Sequence, residues 1–294
     1  GNAGVDVVSV GRLRQDGLTA SLGNIALTSG QDAHLGGDLE SGGQLDLRAG
    51  GALVGDGAWR AAGAAEARAG SSLTAAREVM AGSAVTLIAD AGDLIVGGAL
   101  ASNGAVTLKS GADLSVAGLQ GGLNTGADVA VEAAGNVSTG AVLSGGDYRA
   151  RAGRDYRASG DTLVLGRLDL VAGRDVTQAG TVTIGREGTI QAGGSLSQGD
   201  TRIFGAATLT SGGSQRYAGG LAAEGALALK AGAGVEVAGA LLSSERVSIE
   251  AGTGSLVIAT DLRSGGPLQA SADRTVRVGG ETLDRKSTRL NSSH

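Results

Sequence analysis

The sequence holds no cysteine and one proline, Pro267, in 294 residues. Without cysteine there are no disulfides and no thiolate metal sites. Aromatic residues make up 2% of the chain, with Trp59, Phe204 and Tyr217 scattered singly. They read as gap fillers, because a sugar-binding groove needs its aromatics in a row. Outside the last residue the single histidine is His34, beside Gly36-Gly37. It reads as a solvated turn residue, since a His-type metal centre needs several such groups. No cofactor and no metal is expected. The net charge is −5, without the basic face that nucleic acid requires. The longest uncharged run, Leu94 to Leu108, includes Ser, Asn, Thr and glycine, so no segment can insert in a membrane as a helix. No signal segment opens the chain, and Met80 is its one methionine. The chain enters in the middle of a repeat, which reads as a fragment uncapped at both ends.

What the chain has in excess is glycine, 55 residues of it, set on a period. A small residue followed by Gly closes nearly every unit: Ser29-Gly30, Ala49-Gly50, Ala69-Gly70, Ala91-Gly92, Ser110-Gly111, and so on to Ala251-Gly252. Most steps are about twenty residues, the signature of stacked units rather than of a globule with one centre. Before each pair the polarity alternates, as in Leu45-Asp46-Leu47-Arg48 and Val247-Ser248-Ile249-Glu250. Side chains of a strand point to opposite faces with period two, so these are strands with one buried face. Further short apolar stretches such as Thr181-Val182-Thr183-Ile184 give two or three strands of about four to six residues per unit.

A helix is excluded, because no stretch keeps a three-to-four-residue apolar spacing and each interior glycine would cost about 1 kcal/mol. Collagen is excluded by the irregular glycine spacing at the level of triplets. Disorder is opposed by the 41% of apolar residues, which are patterned. One twenty-residue unit cannot bury enough to fold alone, so hydrogen bonds must run to the units above and below. The expected fold is therefore all-β: a parallel β-helix, or β-solenoid, of roughly thirteen coils. At about 4.8 Å per coil this makes a rod of about 60 Å, right-handed by the rule for parallel crossovers.

The period ends near Leu283. Residues 284–294, from Asp284-Arg285-Lys286 to Ser292-Ser293-His294, break the pattern and resemble one reading-frame translation of a common short-read sequencing adapter. The expected organisation is a shaft over 1–283 and a non-native tail over 284–294.

Units such as Leu168-Asp169-Leu170-Val171-Ala172-Gly173-Arg174-Asp175-Val176 and Val129-Ala130-Val131-Glu132-Ala133-Ala134-Gly135-Asn136-Val137 resemble the haemagglutinin repeats of the filamentous haemagglutinin family, over roughly residues 5 to 283. The resemblance implies a right-handed β-helical shaft, secreted or held at the surface of a Gram-negative bacterium. It implies export through an outer-membrane two-partner-secretion transporter. It also implies a role in adhesion, in biofilm formation, or in carrying a toxin for contact-dependent growth inhibition, with host-cell or bacterial surface receptors or glycans as partners of the full-length protein. The Arg-Gly-Asp signal of some members is not carried over, because this chain has Gly153-Arg154-Asp155 and Gly173-Arg174-Asp175.

Candidate chemistry is sparse. Gly-Asp pairs such as Gly37-Asp38 and Gly199-Asp200 read as turns, since the calcium-binding nonapeptide is not repeated. The polar residue two places after the corner glycine (Asp32, Ser72, Asp113, Asp155, Asp175, Ser195, Ser214) reads as a ladder bonding to turn backbone. Asp155 and Asp175 would stack as like charges, with Arg154 and Arg174 beside them as a neutralising row. The one local charge enrichment runs from Tyr148 to Arg157. Arg149, Arg151, Arg154 and Arg157 are candidate contacts for a sulfated glycan or another anion, with Arg149 and Arg151 outward and Tyr148 inward by alternation. The second functional class is a polysaccharide lyase or glycosidase on the same fold. It would need convergent acids and aromatics on loops that interrupt the period. The interruptions, near Ile88–Gly92 and Leu119–Gly126, are too short, so no enzyme is expected.

Overall fold

A computed structural model describes residues 3–122, 124–284 and 288–292, with side chains as far as 283. The described chain is all strand and turn, without helix, and forms a parallel β-solenoid of about fourteen turns, one more than the expected thirteen. It divides into two units, 1–153 and 154–294.

A coil of the first unit shows the plan. A five-residue strand, Leu45–Ala49, is followed by two of three residues, Leu53–Gly55 and Trp59–Ala61. The strands are unequal, and two of the three are shorter than expected. In the long strand Leu45, Leu47 and Ala49 are buried while Asp46 and Arg48 face out. Pairing to the neighbouring coil is parallel and in register, Ile25↔Leu45, Leu27↔Leu47, Ser29↔Ala49. Long strands of this unit start at Val5, Ile25, Leu45, Ala65, Val85, Val106, Val129 and Tyr148. The second unit repeats the plan by itself, with long strands from Leu168–Ala172 to Leu268–Ala272. The backbone of Thr288–Ser292 pairs with Leu268–Ala272. Residues 285–287, 293 and 294 of the expected tail lie outside the described residues.

The corners explain the glycine period. A Cβ on Gly50 would stand 2.3 Å from the carbonyl oxygen of Gly30, and one on Gly70 2.2 Å from that of Gly50. The bend of each coil rests on the bend of the coil before it, and a side chain would force them apart. The residue before the glycine is buried at most corners, and Ser29 and Ser110 staple two coils there. Ser29 Oγ donates toward the carbonyls of Gly11 (2.7 Å) and Asp32 (2.9 Å), and Ser110 Oγ toward those of Gly92 (2.9 Å) and Asp113 (2.8 Å).

Both irregular stretches foreseen in the sequence lie in the first unit. One extra residue sits in the corner between Ala89 and Leu94. In this part of the unit the two short strands fuse, as Leu94–Ser102, Leu114–Gly121 and Val137–Ser144. Pairing slips one place between Val96 and Ala99. The second excursion leaves the frame after Gly121 and returns at Val129. Gly122 and Gly126 take φ of 62° and 71° there, a backbone region that favours glycine, and the amides of Thr125 and Gly126 close on the Gly122 carbonyl.

Candidate functional site

The outward rows of the first unit's long strands carry charge of both signs. Asp46 stacks on Glu66 and Arg48 on Arg68, so like charges are neighbours along each row. Diagonal pairing relieves them: Arg48 reaches Asp46 at 2.9 Å and Glu66 at 3.5 Å, and Arg68 holds both carboxylate oxygens of Asp90 at 3.0 Å. The hydrogen bond to Asp46, then its charge, pushes the Arg48 pKa up.

Farther along the same face stand two of the four candidate arginines. Arg149 and Arg151 point outward from Tyr148–Ala152, and Tyr148 is fully buried, as alternation required. Arg151 lies in register beside Glu132, whose carboxylate is 3.7 Å from Lys109. Lys109, Glu132, Arg149 and Arg151 line a shallow depression of about 110 Å³. Both arginines already have a partner within the chain. Arg154 and Arg157 belong to the second unit. Arg154 is at a bend and Arg157 faces out between buried Tyr156 and Ala158.

The polar ladder is present and reaches farther than a local turn. Side-chain oxygens accept the backbone N–H of the next coil: Asp32 from Ala52 (3.0 Å), Asp113 from Asn136 (2.7 Å), Asp155 from Asp175 (3.2 Å), Asp175 from Ser195 (2.7 Å). The serines do less, with Ser195 Oγ 3.5 Å from Ser214 Oγ. Stacking of Asp155 on Asp175 is relieved by Arg174, which reaches Asp155 with Nε at 3.1 Å and Nη2 at 2.9 Å. Arg154 contributes its carbonyl, which accepts the Arg174 N–H. The Arg174 hydrogen bond, and after it the Asp175 N–H, hold the Asp155 carboxyl below the usual carboxylate range.

Two expectations are corrected. His34 lies in the strand Ala33–Leu35, not in a turn, and its Nε2 is 3.0 Å from Asp56. Its neighbours Ala33 and Leu35 are the inward residues, so the ring faces out. Trp59 and Tyr217 do fill the interior. Phe204 does not: it sits past the strand end, exposed, with the Arg202 guanidinium 4.5 Å from its ring centre.

A depression of about 850 Å³ runs along the third strands of the first unit, and no signal in the sequence pointed to it. Its charged centre is Arg60, held by Glu40 (3.3 Å), Asp38 (3.8 Å) and Glu78. Among the described residues no group of three or more His, Asp or Glu is placed to hold a metal ion. No helix is long and apolar enough to cross a membrane.

The arrangement defines a class of protein: a repeat solenoid whose chemistry is spread along its faces rather than gathered in a cleft. The haemagglutinin-repeat family model matches six segments, 2–57, 60–118, 115–164, 157–242, 205–262 and 246–294. The chain belongs to the haemagglutinin-repeat family, and is a repeat segment of the filamentous haemagglutinin type. No curated protein and no solved structure matches it.

Proposed function

We propose that this chain is a shaft segment of a secreted or cell-surface adhesin or contact-dependent growth inhibition exoprotein of a Gram-negative bacterium. It holds binding or toxin regions away from the cell. The observation that carries this reading is the coil-on-coil parallel pairing that recurs through each unit, interrupted only by departures of a few residues, such as those near 90–93 and 122–128. Each coil adds about 4.8 Å to a stack and its hydrogen bonds go to the next, so the fold supplies length and stiffness. Export passes through an outer-membrane two-partner-secretion transporter, and the absence of cysteine suits a chain that crosses a membrane unfolded. Receptors or glycans on host or bacterial cells are the partners of the full-length protein. Arg149, Arg151, Arg154 and Arg157 are the proposed contacts for an anionic glycan.

The test is to remove two whole coils, residues 25–64, from the full-length exoprotein. Export and folding should persist while reach shortens, read as reduced binding to a target held behind a spacer. A deletion that abolishes folding, or one that leaves reach unchanged, opposes the shaft reading. The second reading, a polysaccharide-active enzyme, takes its support from the Arg149–Arg151 depression. It would replace the first if anionic polysaccharide were turned over and the activity vanished in Arg151→Ala.

A further inference from the structure

In the first unit four third strands stack in register: Thr19–Ser21, Leu39–Ser41, Trp59–Ala61 and Val79–Ala81. Their middle residues form one outward row, Ala20, Glu40, Arg60, Met80. The first residue beyond each strand forms a second row at the corner, Leu22, Gly42, Ala62, Gly82. Both rows line the 850 Å³ groove. Within them Leu22 is 78% exposed and Met80 46%, the large apolar side chains of two rows whose other members are Gly, Ala and the charged pair Glu40 and Arg60.

Each row is the complement of its own reverse. Laid against itself head to tail, the corner row sets Leu22 on Gly82 at both ends and Gly42 on Ala62 in the middle. A large side chain meets a gap, and small residues meet where backbones must come closest. The strand row, reversed, sets Met80 on Ala20 and Glu40 on Arg60. The two rows share one centre, between the second and third coils. A single two-fold axis perpendicular to the stack therefore satisfies both. Reversing the stack about that axis keeps the third strands on the same flank of the contact.

The step between levels selects the occupant. Coils repeat at about 4.8 Å. A helix advances about 5.4 Å per turn, and a lone extended strand sets successive same-face side chains about 6.8 Å apart. Either drifts out of phase within a few levels, whereas another stack of the same kind stays in phase.

We propose that this face binds a second copy of the chain, antiparallel, in an isologous contact. In the free chain one cation, Arg60, is shared among three acids. In the pair each Glu40 gains the partner's Arg60. The two rows match over four coils, a short contact, so it is weak and belongs to shafts crowded side by side.

The experiment is sedimentation of the whole chain up to high micromolar concentration, with circular dichroism as the check on folding. The wild type should form dimers. Glu40→Arg and Arg60→Glu should each weaken dimerisation by about tenfold or more, because like charges then face each other twice. Mixing the two variants should restore it, since two basic positions on one copy then face two acidic positions on the other. Leu22→Asp should weaken it without rescue by either charge variant. The proposal fails if the wild type stays monomeric throughout. It also fails if self-association is indifferent to these substitutions, or if the mixture remains monomeric.

Discussion

The two units share one backbone plan and fill it differently. In the first, the interior of the coils is apolar up to the strand ends as far as Leu119, with Leu35, Leu47, Leu73 and Trp59 among its fully buried side chains, and Thr139 and Tyr148 bring a hydroxyl and a phenol only near its far end. The serines at the strand ends bond to backbone. In the second, amides and phenols enter the interior itself. Gln198 Nε2 donates to Gln178 Oε1 one coil away, and Gln178 Nε2 lies 3.5 Å from Thr162 Oγ1. The Tyr217 hydroxyl donates to Gln215 Oε1 at 3.0 Å, and Gln215 Nε2 donates to the carbonyls of Leu209 and Lys230. Burial pushes the Tyr217 phenol pKa far up, so it remains a donor. The corners and ladders are what fix a coil. Given those, the interior accepts dry or polar filling, with the amides bonding within their own coil or to a coil next to it.

The first unit's dry interior gives the largest expected effect. Trp59 occupies space that Gly55 leaves open: a Cβ on Gly55 would lie 2.5 Å from the indole ring. Trp59→Ala should cost about 3–5 kcal/mol in denaturant unfolding. Gly55→Ala should cost about 1–3 kcal/mol by overpacking, yet be close to neutral once Trp59→Ala has emptied the site. Additive costs would separate the two positions and remove the packing explanation. The second unit's polar interior should respond less, with coupling of the same sign. Gln178→Leu alone takes away the acceptor of Gln198, whose Oε1 has no hydrogen-bond partner. That substitution should cost about 1–3 kcal/mol. Gln178→Leu with Gln198→Leu should cost less than the single change, because no amide is then stranded. A double cost equal to the sum of the singles would show that the amides do not act as a pair.

How far the sequence reveals each layer follows from what its signals encode. The coil length and the inward face could be read because both are written in a period, glycine at the corner and alternation before it. Arg149 and Arg151 were placed outward, and Tyr148 inward, by that alternation alone. The unequal strands could not be read. Two three-residue strands and their bend differ from one longer strand only in hydrogen bonding, and the fused strands near Leu94–Ser102 show how small the difference is. Arg154 and Arg174 were read together as a neutralising row, and which of them holds Asp155 was settled only by the stacking, which brings Arg174 from the next coil onto it. The groove was missed for the same reason: Ala20, Glu40, Arg60 and Met80 form a row only once the coils are stacked. His34 and Phe204 were misjudged because glycine neighbours suggest turns, and aromatic character suggests burial, with no period to support either.

The smallest expected effect concerns Asp155, a ladder carboxylate that a cation grips through both oxygens. In the first unit the matching group, Asp113, takes its side-chain partner from the neutral Asn136, at 3.2 and 3.3 Å. In the second, Asp155 is held by Arg174, and its pKa is below the ordinary value chiefly for that reason. A carboxyl depressed in the folded chain binds protons more readily when unfolded. Its contribution is complete above the unfolded value of about 3.9 and is lost as pH falls through the lower, folded one. Arg174 is 64% exposed, so solvent screens the pair and Arg174→Gln should destabilise only slightly at neutral pH. Melting temperatures of the two proteins should therefore differ slightly at pH 7 and converge as the pH drops below about 4. A gap that stayed constant into acid would mean that Arg174 stabilises the coil through its stem and backbone, and that the contrast between Asp113 and Asp155 has no energetic content.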